Sequence, residues 1–179
     1  FEFDIKYNVV QKKDFSWSTS FNLSTNDNKV LSLAPGINNI ISATGGLENP
    51  SITLPGYPIR MLFITRTAGV DPATGRRIFI NNQGRQVFFQ HVAPAGQARF
   101  MYADGTTAPT VSSADAIVYK NTNAKIFGGW ENNLRFKNFE LNALFTYQMG
   151  NWLYYGTQAG LRDQRFWNNE VGVLNRWQK

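Results

Sequence analysis

Strict alternation of apolar and polar side chains is the feature that most constrains this chain. In residues 1–10, aromatic and aliphatic side chains take the odd positions and mostly charged ones take the even positions, until Val10 ends the pattern. After a polar turn at residues 11–14, residues 15–24 alternate in the same way. A period of two places successive side chains on opposite faces of a strand. The two segments are therefore predicted to form an antiparallel hairpin with one apolar and one polar face.

A second pair of segments repeats this design near the other end of the sequence. Residues 125–136 and 139–150 alternate with period two and are joined by a tight turn at Lys137-Asn138. Leu144 is the one apolar residue on the otherwise polar face of the last segment. The pattern predicts a second hairpin with the same two faces.

Strand length favours a membrane setting for these hairpins. Each predicted strand is about ten to twelve residues long, whereas strands of soluble proteins average about five to six and tilted membrane strands need about nine to eleven. Aromatic residues also lie near strand ends, as in the interfacial girdles of membrane barrels; Phe136 and Phe139 flank one turn, and Trp152, Tyr154 and Tyr155 follow the last strand. A soluble antiparallel sheet remains open, because alternation alone fits it too.

The interval at residues 25–124 is rich in Asn, Gly, Pro and Thr and carries only short strand-like pieces at 59–65, 77–81 and 86–91. Such a length is unusual for a passive loop in a compact domain, but barrels carry short turns on one rim and long loops on the other. We expect one external excursion here; an extra pair of membrane strands is the alternative. Residues 151–179 are predicted to be loop, and no helix is predicted.

Residue chemistry points away from catalysis. The chain has no Cys, which excludes disulfides, thiolate metal sites and cysteine nucleophiles. Its one histidine, His91, has no second histidine nearby, and no G-x-S-x-G nucleophile motif occurs. Carboxylates are few and dispersed. We predict no catalytic, metal or cofactor-binding residue, no cofactor and no enzyme activity.

The positive charge is scattered. The formal net charge is +6, but the only adjacent basic pairs are Lys12-Lys13 and Arg76-Arg77. A surface that binds phosphates usually clusters such residues, so a nucleic-acid partner is not expected. The polar strand faces carry Glu2, Glu131 and Arg135 among others, and the simplest expectation for them is a hydrated wall with weak cross-strand salt bridges.

The string Asp71-Pro72-Ala73-Thr74-Gly75 has the composition of a turn. Pro fixes φ, Gly supplies a positive φ, and Asp can accept hydrogen bonds from its own turn. A calcium loop is not expected, because alternating oxygen ligands are missing.

Several strings resemble the SusC/RagA type of TonB-dependent outer-membrane transporter. They are Gly56-Tyr57-Pro58-Ile59 followed by Ala68 to Gly75, then Phe127-Gly128-Gly129-Trp130 leading to Phe136–Leu141 and Phe145–Asn151, and the earlier strings Asp14–Trp17 and Asn22–Ser24 with Val30. Together they cover most of the chain in the family's order and spacing. One departure is residues 121–125, where the family usually has prolines, which leaves the local loop shape open.

The resemblance implies that residues 1–179 are a portion of one antiparallel transmembrane β-barrel of about 22 strands, with long extracellular loops and with the amino-terminal plug domain absent from this chain. It implies the bacterial outer membrane as location, with contact to its lipid. It also implies import of glycans or peptides, a surface lipoprotein partner of the SusD type, and energy from the TonB complex through the missing amino-terminal part. No catalytic or cofactor residue is carried over from the family.

Two other functions remain open. A soluble carbohydrate-binding module would stack sugars on exposed rings, and a porin without TonB coupling would need no plug. The candidate contacts for substrate or partner are aromatic residues in the external segments. They are Tyr102, Trp152, Tyr154 and Trp167, with Trp177 also considered. Membrane anchoring or loop packing would explain these rings equally well.

Overall fold

The computed structural model describes residues 1–44, 48–163 and 168–178 of this chain. Almost all regular structure in these residues is β-strand. The strands are β1 (Glu2–Gln11), β2 (Phe15–Thr25), β3 (Ile40–Thr44), β4 (Glu48–Thr53), β5 (Met61–Ile64), β6 (Arg66–Val70), β7 (Arg77–Ile80), β8 (Gln86–Phe89), β9 (Phe100–Met101), β10 (Ile117–Val118), β11 (Ile126–Phe136) and β12 (Phe139–Met149). The predicted all-β fold with antiparallel pairing is confirmed; barrel closure and strand number stay predictions.

The long-strand sheet has the order β1-β2-β11-β12. Each of its strands begins and ends within one residue of the range that the alternation predicts. Because β2 lies directly against β11, the chain between them is one excursion and inserts no strand pair into this sheet. The two short turns meet on one rim, where the Lys137 N–H donates to the Asp14 carbonyl over 2.8 Å.

Register places most apolar residues of the four strands on one face of the long-strand sheet. Phe21, Trp130 and Phe145 are directly opposite one another across three strands, because antiparallel partners project to the same side. One detail differs from the sequence pattern: a bulge between Asn8 and Val10 makes Val10, not Val9, the partner of Trp17. An extra residue in a bulge shifts the alternation by one position, which a period-two pattern cannot foresee.

Polar groups at the centre of the apolar face have hydrogen-bond partners. The indole Nε1 of Trp17 donates to Asn132 Oδ1 over 3.1 Å, and Asn132 is only 8% exposed. The indole Nε1 of Trp130 donates to Thr19 Oγ1 over 2.9 Å, and this hydroxyl donates in turn to the Glu131 carbonyl. Moving a polar group without a hydrogen-bond partner into an apolar environment costs free energy. Because these groups are paired, the centre of the face can lie in an apolar environment.

The close approach of two strands depends on Gly128. It lies opposite Tyr147, whose ring stacks on Phe21 and whose hydroxyl donates to the Asn22 carbonyl over 2.8 Å. A Cβ on Gly128 would lie 2.1 Å from that carbonyl oxygen and 2.6 Å from the Tyr147 hydroxyl. Gly128 thus leaves the space that the tyrosine side chain fills.

The chain divides into two compact units. One contains the long-strand sheet, and the other, here called the short-strand unit, comprises residues 41–52, 62–119 and 153–179. Its strands belong to two sheets, β10-β5-β4-β3 and β6-β7-β8-β9. The buried hydrophobic side chains of the described residues lie in or beside these short strands: Ile52, Met61, Leu62, Val87 and Ala108. The expected loop excursion therefore contains sheet structure, with β5, β7 and β8 inside the three strand-like pieces.

The segment 151–179 also holds more regular structure than the predicted loop. It contains α1 (Gly156–Leu161) and a 3-10 helix (Val171–Asn175), besides a 3-10 helix at Ser113–Asp115 in the interval. Groups that follow eight residues later hold the end of α1: the Asn169 side chain donates to the Leu161 carbonyl over 2.9 Å, and Arg162 pairs with Glu170. A six-residue helix held by such contacts has no periodic signal. None of the described helices is long and apolar enough to cross a membrane.

Candidate functional site

The polar face of the long-strand sheet gathers a hydrogen-bond network around Glu131. Its Oε1 accepts from the side-chain amides of Asn133 and Asn142 over 3.2 Å each, and its Oε2 accepts from the Ser20 hydroxyl over 3.4 Å. Asn142 also donates to Asn133. These groups come from β2, β11 and β12, which the register brings side by side.

Salt bridges were expected on this face, and the structure has amides there instead. Arg135 and Glu140 are direct cross-strand partners, yet the one ion pair found in residues 1–44, 48–163 and 168–178 joins Arg162 to Glu170 elsewhere. Amide and hydroxyl donors hydrogen-bond to the carboxylate of Glu131, and among the described residues no cation forms an ion pair with it. The face is therefore polar and hydrogen-bonding, with one oriented negative charge at its centre.

An open depression lies next to this network, towards the ends of the strands opposite the short turns. Its volume is about 880 Å³. Its wall combines apolar and amide or hydroxyl side chains, namely Asn22, Phe127, Gly129, Leu144, Thr146 and Gln148. Leu144 is 63% exposed and Phe127 is 40% exposed, although both belong to the polar face. Such a surface can contact the apolar body and the polar groups of one ligand at once.

In the sequence, Leu144 stands out only as a break in the polar face. The register supplies what was missing, because it places Leu144 opposite Glu131 and Phe127 opposite Gln148. The Asn22 side chain accepts from the Gly129 N–H over 2.9 Å, which fixes its amide at the edge of the depression. The sequence signal for this depression is that Phe127 and Leu144 are apolar residues at positions of the polar face. That they lie close together follows only from the pairing of β11 with β12.

Tyr102 directly follows β9 in the short-strand unit. It is half-buried, and the Arg85 guanidinium carbon lies 3.6 Å from its ring centre. Tyr154 is half-buried before α1, where its carbonyl accepts from the Gly156 N–H. The Tyr102 ring thus packs within its unit, and the role of both tyrosines as ligand contacts stays a prediction.

The other two predicted contacts differ in what the structure describes. Trp152 is 50% exposed, and its backbone N–H donates to the Asn121 carbonyl over 2.9 Å. Lys120 Nζ lies 5.3 Å from the Trp152 ring centre. Trp167 lies outside the described residues. Trp177, a further candidate contact, packs over Gly75, and its Nε1 donates to the Pro72 carbonyl over 2.9 Å.

Two carboxylates, those of Asp71 and Asp104, close turns in the interval. The Thr74 hydroxyl donates to Asp71 and, as the largest cause, lowers the pKa of that carboxyl; the Ala73 N–H adds a further hydrogen bond. The hydroxyl and N–H of Thr106 lower the pKa of Asp104 in the same way. Gly75 has the positive φ of 73° that the turn requires. In the part of the chain that is described, no cluster of His, Asp or Glu could hold a metal ion.

Two curated proteins are similar to this chain. TonB-dependent receptor P3 of Formosa agariphila is 26% identical over 99% of the chain, and TonB-dependent receptor SusC of Bacteroides thetaiotaomicron is 24% identical over 86%. The chain spans only 17% and 14% of the length of these two relatives. No family model matches the sequence.

Solved structures of the RagAB assembly share the fold. A chain in the structure of the RagAB peptide transporter superposes over 99% of this chain with a TM-score of 0.71 and 22% identity, covering 18% of that chain. In the closed-closed state of the RagAB peptide importer the TM-score is 0.57 over 84% of this chain, with 25% identity and 15% of that chain covered. The fold of this chain is therefore similar to part of a larger solved protein.

Proposed function

We propose that this chain, which belongs to the SusC/RagA family of TonB-dependent receptors, forms part of the wall and the external excursion of an outer-membrane β-barrel that imports nutrients. In this proposal the long-strand sheet crosses the membrane. The two adjacent short turns face the periplasm, and the short-strand unit lies outside. The polar face then lines the lumen and the apolar face meets lipid.

The exposure of the apolar face is the observation that carries this proposal. Nine large apolar side chains of the long-strand sheet are 47–79% exposed: Phe3, Ile5, Tyr7, Trp130, Phe136, Phe139, Leu141, Phe145 and Met149. Burying one such side chain stabilises a fold by about 1.5–3 kcal/mol. A water-soluble domain would therefore forgo on the order of 10 kcal/mol, which is comparable to the whole stability of a typical domain. Lipid removes this conflict because it is itself apolar.

The polar face supplies the transport side of the proposal. Its central network is built from Glu131, Asn133, Asn142 and Ser20, and the neighbouring depression adds exposed apolar groups at Phe127 and Leu144. A passing glycan or peptide would find hydrogen-bond donors, acceptors and apolar surface on this wall. No chemical step is required of it, so we propose a transporter and not an enzyme.

Substrate and partners are proposed from the family. The named relatives include a SusC receptor and the RagAB peptide transporter, and this range leaves both glycans and peptides as substrates. We propose a SusD-type surface lipoprotein as partner at the external mouth. Energy would come from the TonB complex through a part of the protein that precedes the barrel wall.

The decisive experiment measures uptake by cells that carry or lack the full-length receptor. Fluorescent oligosaccharides and oligopeptides serve as probes, and each is tested before and after the proton gradient of the inner membrane is collapsed. Uptake that needs both the receptor and the gradient supports the proposal. Uptake that persists without the gradient would indicate an open pore instead.

A second measurement tests the membrane setting by itself. The folded full-length protein should migrate differently in detergent gels before and after boiling, because a membrane barrel resists the detergent until it is heated. A monomer that folds in water without lipid or detergent would overturn the barrel assignment. That outcome would favour a soluble carbohydrate-binding module.

A further inference from the structure

The segment from β6 to β9 has an unusual charge composition. Residues 66–101 contain five arginines, no lysine and a single acidic residue, Asp71. The Asp71 carboxylate already accepts from the Ala73 N–H and the Thr74 hydroxyl of its own turn. The segment therefore carries excess positive charge, which attracts anions to its surface.

Arg77, one of these arginines, lies beside a pocket. It is exposed at the start of β7, and its guanidinium carbon lies 5.8 Å from the Phe79 ring centre. No carboxylate of the described chain lies within ion-pair distance of it, since the ion pair found there is Arg162–Glu170. Its planar fork of donors is thus held beside an aromatic ring without an acidic partner.

The pocket next to Arg77 has a volume of about 360 Å³. Hydroxyls and rings line it together with the guanidinium, from Phe63, Thr65, Thr67, Phe79 and Ser112. Ligand pockets begin at about 300 Å³, so this one fits a single sugar ring or amino-acid residue. The nearby Asp115 carboxylate accepts from the backbone N–H groups of Asn82 and Ser112 over 3.0 Å each and is only 9% exposed.

We propose that this pocket binds a compact ligand that bears a carboxylate. Arginine presents parallel N–H donors that match the two oxygens of a carboxylate, which a lysine cannot do. The hydroxyls of Thr65, Thr67 and Ser112 can bond to the polar edge of the ligand body, and Phe63 and Phe79 cover its apolar side. A sugar acid and an acidic amino-acid residue share this chemistry. The inference concerns binding, and it holds whether or not the receptor imports the ligand.

The test is calorimetric titration of the full-length receptor in detergent. The probes are glucuronate with glucose as its uncharged partner, and N-acetylglutamate with N-acetylglutamine. We expect at least one acid to bind at least tenfold more tightly than its uncharged partner, and the acid that binds identifies the source of the carboxylate. Arg77→Gln should weaken that binding by about 10- to 100-fold, the usual range for a hydrogen bond to a charged group. Arg77→Lys should fall between the two proteins.

Matched variants separate this pocket from the general charge of the segment. Arg99→Gln removes an equal charge from an exposed position just before β9, outside the pocket lining. It should change the affinity by less than about twofold, because salt screens exposed charges. Ser113→Phe fills the pocket from an exposed position without changing charge and should abolish binding. Equal losses in the Arg77 and Arg99 variants, equal binding of acids and uncharged partners, or binding that survives Ser113→Phe would overturn the inference. Import assays on the same proteins report separately on the proposed transport.

Discussion

The long-strand sheet and the short-strand unit differ in strand length and in the exposure of their apolar side chains. Strands of the first are 10 or 11 residues long and leave their apolar side chains exposed. The short strands of 2–6 residues bury Val87 and a few other side chains among themselves. Both regions are antiparallel β-structure. The difference lies in where the apolar side chains go: a few pack together in the short-strand unit, and those of the long-strand sheet stay on an open face.

The sharpest way to break this comparison is to place a charge on each face of β12. Phe145→Arg puts a cation on the apolar face, where lipid contact should cost about 2–4 kcal/mol. Leu144→Arg puts the same cation one residue away on the polar face and should be nearly neutral. The fraction of receptor that keeps its heat-modifiable form in the outer membrane measures both. Equal behaviour of the two variants would contradict a lipid-facing surface.

A second test targets the strand contact at Gly128. Gly128→Ala forces a Cβ to within 2.1 Å of the Asn22 carbonyl oxygen, so β2 and β11 must separate. We expect a loss of about 3 kcal/mol, at the upper end for overpacking. Gly129→Ala is the matched control, because its nearest neighbour would be at 3.5 Å. Urea unfolding of the receptor in detergent compares them, and a Gly129 variant as unstable as the Gly128 variant would refute the steric explanation.

The third test removes part of the small core. Val87 is 1% exposed, so Val87→Ala should destabilise the short-strand unit by about 2 kcal/mol. Val92→Ala is the control, since Val92 is 82% exposed. Hydrogen exchange should rise in β7 and β8 while the long-strand sheet stays protected. If exchange rises equally in both regions, the two units do not unfold separately.

The smallest effect concerns the turn at Asp71. Its carboxyl has a lowered pKa in the folded state, chiefly because the Thr74 hydroxyl donates to it. The turn therefore gains stability at pH values above the ordinary carboxyl pKa of about 3.9 and loses it as the pH falls through the lower folded value. Amide exchange of residues 73–76 should speed up in that acidic window. In Thr74→Val the acid dependence should shrink; an unchanged profile would disprove the role of the hydroxyl.

Local patterns were enough for the long-strand sheet and were not enough for the interval. Residues 15–24 and 139–150 predict their strands because each carries ten or more alternating positions. β9 and β10 have two residues each, too few for any period to show. The ring centre of Phe89 lies 5.9 Å from that of Phe79 and 4.9 Å from that of Phe100, but the sequence pattern does not say which strands carry these rings side by side.

The candidate site divides in the same way. The sequence pattern places Glu131 on a polar face and shows Leu144 as the apolar exception there. It does not show the amide partners of Glu131 or the depression beside these two residues. Of the predicted aromatic contacts, Tyr102 lies against Arg85 within 3.6 Å, a pairing between residues on two separate turns that no spacing rule indicates. Side chains meet at this site only through register, and register follows from pairing across several strands.

The sequence by itself determined the two-faced character of the long strands, their bounds to within one residue and the absence of cysteine chemistry. These properties depend on neighbours along the chain, for which a period of two is sufficient. Only the tertiary structure decided that β2 lies against β11, that Val10 replaces Val9 on the apolar face, and that Arg77 borders a pocket without an acidic partner. Each of these depends on groups far apart in sequence, whose contacts form only when the chain folds.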